Sequence, residues 1–164
     1  MKKGQMQISF GMIFSIILIM VFISAVIYVI IYFLNFSERV KIEQFEEGLQ
    51  ESVDNIWKSV QGSKSVKLAL PKEIEKVCFI DSSSNAVGKD RELYNDFVFF
   101  ITNENLIYYP EGSSQGKEGT EIKHLNISRI TQERNPYCIE GKKGDFSFIV
   151  KMDYSENLVR IEEE

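Results

Sequence analysis

The stretch Phe10–Leu34, FGMIFSIILIMVFISAVIYVIIYFL, decides how the rest of the chain is read. No charged residue lies between Lys3 and Glu38. As a helix its roughly 25 residues make about 37 Å at about 1.5 Å each, more than the roughly 30 Å hydrocarbon core of a bilayer. The segment is long enough to span with some tilt. A secretory h-region is shorter, about 7–15 residues, and leads into a small-residue cleavage pattern. Here the run closes on Leu34, Asn35, Phe36 and Ser37, which offer none. The expected element is a transmembrane helix over residues 5–36 that stays in the mature protein.

The flanks set its direction. Lys2 and Lys3 precede the span, whereas Glu38, Arg39, Lys41 and Glu43 follow it with mixed signs. The positive-inside bias places the N-terminus in the cytoplasm and everything from about residue 37 onward outside the cell. Tyr28 and Tyr32 fall toward the outer end, either as headgroup-level rings or as apolar filler. Gly11 and Ser15 form a small-x-x-x-small pair, of the kind that lets membrane helices approach closely.

Past the span, Ile42, Phe45, Leu49, Val53, Ile56 and Val60 recur in steps of three and four. That spacing puts one apolar stripe on a helix over residues 37–62. Phe45, Leu49, Val53, Ile56, Trp57 and Val60 are the expected packing residues, with Trp57 in the core. Glu43, Glu46, Glu47, Gln50, Glu51, Asp54 and Lys58 read as its solvated face. The helix is expected to stop near Gln61-Gly62, because Gly is common just past a helix end. After that the period changes to two. Strands are expected at Ser65–Leu70, Val77–Ile80, Phe97–Thr102, Leu106–Tyr109, Glu121–Ile127, Tyr137–Glu140, Phe146–Met152 and Leu158–Ile161. Turns fall at Asn103–Asn105, Gly141–Gly144 and Tyr154–Asn157. Short strands with tight turns favour an antiparallel sheet over βαβ units. The expected class is α+β: a long N-terminal helix, transmembrane in its first half and amphipathic in its second, packed on a mostly antiparallel head at residues 63–164.

The first residues add a resemblance. A basic leader MKKG (residues 1–4), then Gln5 and an uninterrupted apolar helix, resembles the class III signal peptide of archaeal type IV pilin-like proteins. The resemblance implies a prepilin-type peptidase cutting between Gly4 and Gln5 on the cytoplasmic side. It further implies that the apolar helix serves as anchor and assembly element, with other pilin-like subunits as partners. The long-helix and β-head architecture is similar to that family too. Pilins commonly carry glutamate as the fifth mature residue, where this chain has Ser9. A charge pair with a neighbour's terminal amine is thus missing, which fits a minor subunit or a solitary anchored protein as well as a major subunit.

Composition limits the remaining classes. The chain has 164 residues and a net charge of −5, with 19 basic against 24 acidic side chains, two of the former in the leader. It closes on three glutamates, and its scattered lysines do not suit the clustered phosphate contacts that nucleic acid requires. No zinc, nucleophile-elbow or phosphate-loop spacing occurs, so no catalytic, metal or cofactor site is expected. His124, the only histidine, reads as a surface or edge residue. Cys78 and Cys138 are the only cysteines. In an extracellular head they could form a disulfide, and the alternative is two buried thiols. Asn126-Ile127-Ser128 is a glycosylation sequon, as is the membrane-adjacent Asn35-Phe36-Ser37. Pro110–Thr120, dense in Gly and Ser, reads as the most flexible loop and Ser82–Asn95 as a second, with a short helical turn at Asp90–Tyr94. Two functions remain: a structural pilin-like subunit of a surface filament, or a single-pass anchored binding protein that does not polymerise.

Overall fold

A computed structural model describes residues 10–99 and 101–164. The chain divides into two compact units, residues 1–37 and 38–164. One helix, α1 (Phe10–Lys58), runs from the first into the second. Leader residues Met1–Gly4, the expected cleavage point at Gly4 and Gln5, and Ser9 lie outside the described residues. In the first unit residues 10–36 are helical and exposed, and the segment is long and apolar enough to cross a membrane. The Ser15 and Ser24 hydroxyls donate back to Gly11 O (2.8 Å) and Met20 O (2.9 Å). Both hydroxyls are thereby satisfied without water.

The second unit is built on the remainder of α1. Ile42, Phe45, Leu49, Val53 and Ile56 are buried, as one stripe at helical spacing must be when it meets a partner. That partner is a pair of antiparallel sheets. The first comprises β1 (Gly62–Ala69), β6 (Asp145–Met152) and β7 (Arg160–Glu163), in the order β1-β6-β7. The second comprises β2 (Lys76–Phe79), β3 (Leu106–Tyr109), β4 (Gly119–Thr120) and β5 (Tyr137–Glu140), in the order β4-β3-β2-β5. Phe45 meets both sheets edge-on, with ring centroids 6.4 Å from Tyr108, 6.1 Å from Phe146 and 6.3 Å from Phe148. Along β6, Phe146, Phe148, Val150 and Met152 are buried while their neighbours are not, the period-two pattern of a half-covered strand. Gly48 lets β1 approach α1, since a Cβ there would lie 2.9 Å from Leu68 Cδ2.

The second sheet is covered on both faces. Val77, Phe79, Leu106, Tyr108 and Ile139 belong to the α1 core. Cys78, Ile80, Ile107 and Cys138 join a smaller cluster with Phe97 of α2 (Arg91–Val98). Burial on two faces explains why Val77–Ile80 reads as an unbroken apolar run. Cys78 and Cys138 face each other in the β2–β5 register and are disulfide-bonded. The bond closes a sequence separation of 60 residues, and loop-closure entropy alone gives it about 4 kcal/mol.

Several expectations are corrected. No strand forms among the described residues of Phe97–Thr102: Phe97 lies in α2, whose Leu93, Tyr94 and Phe97 share one face and pack on the disulfide cluster. Asn103–Asn105 is consequently not a hairpin turn, and β3 pairs with β2 and β4 instead. Glu121–Ile127 forms no ladder: side-chain amides take the backbone groups of Ile122 and Lys123, and a single parallel bridge joins Leu125 to Val159. Asn105 brackets Ile122, donating from Nδ2 to its O (2.9 Å) and accepting its N–H at Oδ1 (2.8 Å). The Gly141–Gly144 turn links strands of different sheets. The helix ends at Lys58, before Gly62, and Val60 takes the left-handed conformation with φ 66°. It is 58% exposed and Trp57 is 38% exposed, so neither sits in the helix–head core: the apolar stripe runs out with the last turn. A further short helix, α3 (Ile127–Ile130), precedes β5.

Two substitutions read these assignments through unfolding of the full chain in detergent, with the single tryptophan as probe. Phe45→Ala should cost about 3–5 kcal/mol, because three aromatic rings lose their shared contact. Val60→Gly should gain about 1 kcal/mol by relieving the left-handed backbone. An unchanged midpoint in Phe45→Ala would contradict the placement of the core.

Candidate functional site

Two surfaces distinguish the described residues. The first is the apolar length of α1, residues 10–36, whose side chains are exposed. Isolated Leu or Ile side chains on a surface are ordinary, whereas a contiguous apolar surface of this length marks a membrane or assembly contact. Gly11 and Ser15 lie within it, and the Ser15 hydroxyl is turned back onto the helix. Both residues thus leave a shallow face.

The second surface is on the head, along a polar row of α1 that the sequence presents as solvated. Glu46, Gln50 and Asp54 stand four residues apart and share a face. Glu46 accepts a hydrogen bond from the Tyr108 hydroxyl (2.8 Å) and pairs with Lys117. Gln50 Oε1 accepts the Lys123 N–H (2.8 Å), and Gln50 Nε2 donates to Asp54 Oδ1 (2.8 Å). Asp54 Oδ1 accepts from His124 Nδ1 (2.9 Å). Burial, then the charge of Glu46 and the hydrogen bond to it, push the Tyr108 phenol upward, so it remains a donor. Partial burial pushes the Asp54 carboxyl up. The hydrogen bonds from His124 and Gln50, with the charges of His124 and Lys58, outweigh it and hold Asp54 below its ordinary range.

His124 therefore belongs to an ordered constellation. Its ring stacks on Trp57 with centroids 3.8 Å apart and planes 3° apart, and Trp57 Nε1 donates to Asn157 O (3.1 Å). Its backbone has φ 65°. The Pro110–Thr120 loop is similarly held on α1: Gln115 Nε2 donates to Glu38 Oε2 (2.7 Å), Arg39 donates to Gln115 O (3.4 Å), and Ser114 is buried. Its Gly and Ser content allows tight turns; Gly112 and Gly116 have positive φ.

Between this loop, α2 and the β3–β4 edge lies a cleft of about 510 Å³, within the roughly 300–1,000 Å³ typical of binding clefts. Its floor is apolar, with Phe97, Ile107, Tyr109 and Pro110, and its rim carries Asp96, Glu104, Glu111, Glu118 and Lys117. Glu104 accepts the N–H groups of Thr102 and Asn103, which lower its pKa. Glu118 accepts the Gly112 N–H (3.3 Å), and Lys117 is taken by Glu46. Asp96 and Glu111 are exposed and make no ion pair or hydrogen bond among the described residues.

The sequence did not signal this cleft, because its walls come from segments that only the fold brings together. The spacing of Glu46, Gln50 and Asp54 was visible in the sequence, and was read as solvated for want of a partner. Asn126 caps α3, its Oδ1 accepting from Arg129 N (3.2 Å) and from the Ser128 hydroxyl (3.1 Å). No group of three or more His, Cys, Asp or Glu side chains is placed to hold a metal ion among the described residues. No protein-family model, no curated protein and no solved structure matches the chain.

The Asp54 constellation has a pH signature. A carboxylate whose pKa falls on folding stabilises the folded state above the ordinary carboxylate range near pH 4. That contribution is lost as pH drops further through its lowered value. Wild type should lose more urea resistance between about pH 5 and 2 than Asp54→Asn does, followed by Trp57 fluorescence. Identical slopes would contradict the assignment of Asp54.

Proposed function

We propose that this chain is a pilin-like structural subunit, major or minor, of an archaeal type IV pilus-like surface filament. The observation that carries the reading is α1: an exposed apolar segment of about 27 residues continues, in one helix, into the spine of an α+β head. Exposed apolar surface of that extent needs lipid or other apolar helices around it. The leader Met1–Gly4 before Gln5 supports a prepilin-type peptidase as the processing partner, with the N-terminus cytoplasmic and the head outside the cell. The disulfide supports an oxidising compartment for the head. The Gly11 and Ser15 face supports close approach of neighbouring helices.

A second reading, a solitary anchored binding protein, is favoured by Ser9, which cannot supply the carboxylate that pilins commonly place there. The two differ in what happens to the leader. Intact mass and N-terminal peptide analysis of the protein from its native membrane should give a mature chain beginning at Gln5. A chain that still begins at Met1 would remove the processing route and leave the solitary anchor.

A further inference from the structure

Resting on the filament reading, we infer that heads join head-to-tail, the acidic cleft of one copy receiving the lysine-bearing Gly141–Gly144 turn of the next. The cleft rim is net acidic, four carboxylates against Lys117, and the turn carries two lysines that no ion pair takes up among the described residues. On the cleft rim, Asp96 and Glu111 have no partner among the described residues, and an apolar floor beneath them suits the aliphatic stem of a lysine. On the turn, Lys142 and Lys143 are exposed and make no ion pair among the described residues. Of the carboxylates that share a depression with Lys142, Asp145 is engaged by Lys67 (2.9 Å), Glu140 by Lys76 (3.3 Å) and Glu163 by Arg134 (3.6 Å), while Glu164 accepts from the Ser65 hydroxyl (2.8 Å).

The turn is held as a firm knob. Its ends are tied by Gly141 N–H to Glu75 O and Leu70 N–H to Gly144 O, both 2.8 Å. Lys142 N–H donates to Asp145 O (2.8 Å) and Asp145 N–H donates back to Lys142 O (3.1 Å). A Cβ at position 141 would lie 2.4 Å from the Phe146 ring, and Gly144 has φ 89°, so glycine is required at both ends. A knob ordered before contact loses little entropy on docking.

Topology prevents self-pairing. In the order β4-β3-β2-β5 the cleft flanks β4 while the turn leaves β5 at the opposite edge. Those edges are three strand spacings, about 14 Å, apart. Two different surfaces on opposite edges define a heterologous contact, which propagates into a ring or an open helical array. A filament requires a contact of that kind.

The test uses the full chain in its native membrane, with light and heavy isotope-labelled copies mixed and joined by carbodiimide, a zero-length amine-to-carboxylate linker. Peptides joining Lys142 or Lys143 of one copy to Asp96 or Glu111 of another are expected. Reversing one side, by Lys142→Glu with Lys143→Glu or by Asp96→Lys with Glu111→Lys, should lower the yield of sedimented filaments about tenfold or more, since like charges then face each other. A chain carrying all four changes should recover it, which also shows that the exposed substitutions leave the fold intact. Filaments with no such peptides, or yields unmoved by either reversal, would overturn this interface alone. No filaments in any preparation would overturn the filament reading and the interface with it.

Discussion

The contact on which the head depends is that of Phe45 with rings from both sheets. No ladder joins β1-β6-β7 to β4-β3-β2-β5, yet Phe45 lies about 6 Å from Tyr108 in one and from Phe146 and Phe148 in the other. The stripe from Ile42 to Ile56 extends that shared contact along four turns of helix. Two small sheets, each marginal alone, thereby become one core. The disulfide secures only β2 to β5, so it reinforces one sheet and does not replace the helix.

Beside that apolar stripe runs a polar one with a different task. Glu46, Gln50 and Asp54 hold the chain from Tyr108 to His124, which beyond the end of β3 has little ladder of its own apart from the two residues of β4. The glycine-rich part of that chain is fixed to the helix at Gln115 and Lys117, and in this position it forms one wall of the acidic cleft. The same helix thus carries the membrane-length apolar surface and positions the head's main concave surface.

What the sequence made legible follows from periodicity. The stripe Ile42, Phe45, Leu49, Val53 and Ile56 repeats at helical spacing, and Phe146 to Met152 alternates, so both elements were readable locally. The disulfide was readable only as one of two alternatives, since two cysteines show nothing of register. Phe97 to Thr102 failed because a short apolar run has no period to separate strand from helix, and packing on the disulfide cluster decided for helix. Glu121 to Ile127 failed because Asn105 and Gln50 side chains take the backbone groups of Ile122 and Lys123, which leaves only one bridge, Leu125 to Val159, where a ladder was expected. Trp57 was misplaced because helical spacing gives its angle but not where the sheets stop. The cleft was illegible, since its charge sits on α2, on Glu104 just before β3 and on the loop after β3, segments with no common pattern.

An exposed apolar helix of membrane-spanning length, an α+β head with a cross-strand disulfide, and an acidic cleft opposite a lysine-bearing turn are the features on which the proposed filament reading rests. The most direct test is to shear intact cells, collect the sedimented appendages and label them with antibody raised against the head. The account predicts filaments decorated along their length or at their tips, with head peptides recovered from the sedimented fraction. Recovery of the whole population from the membrane as a detergent-soluble monomer, with bare or no filaments, would contradict it.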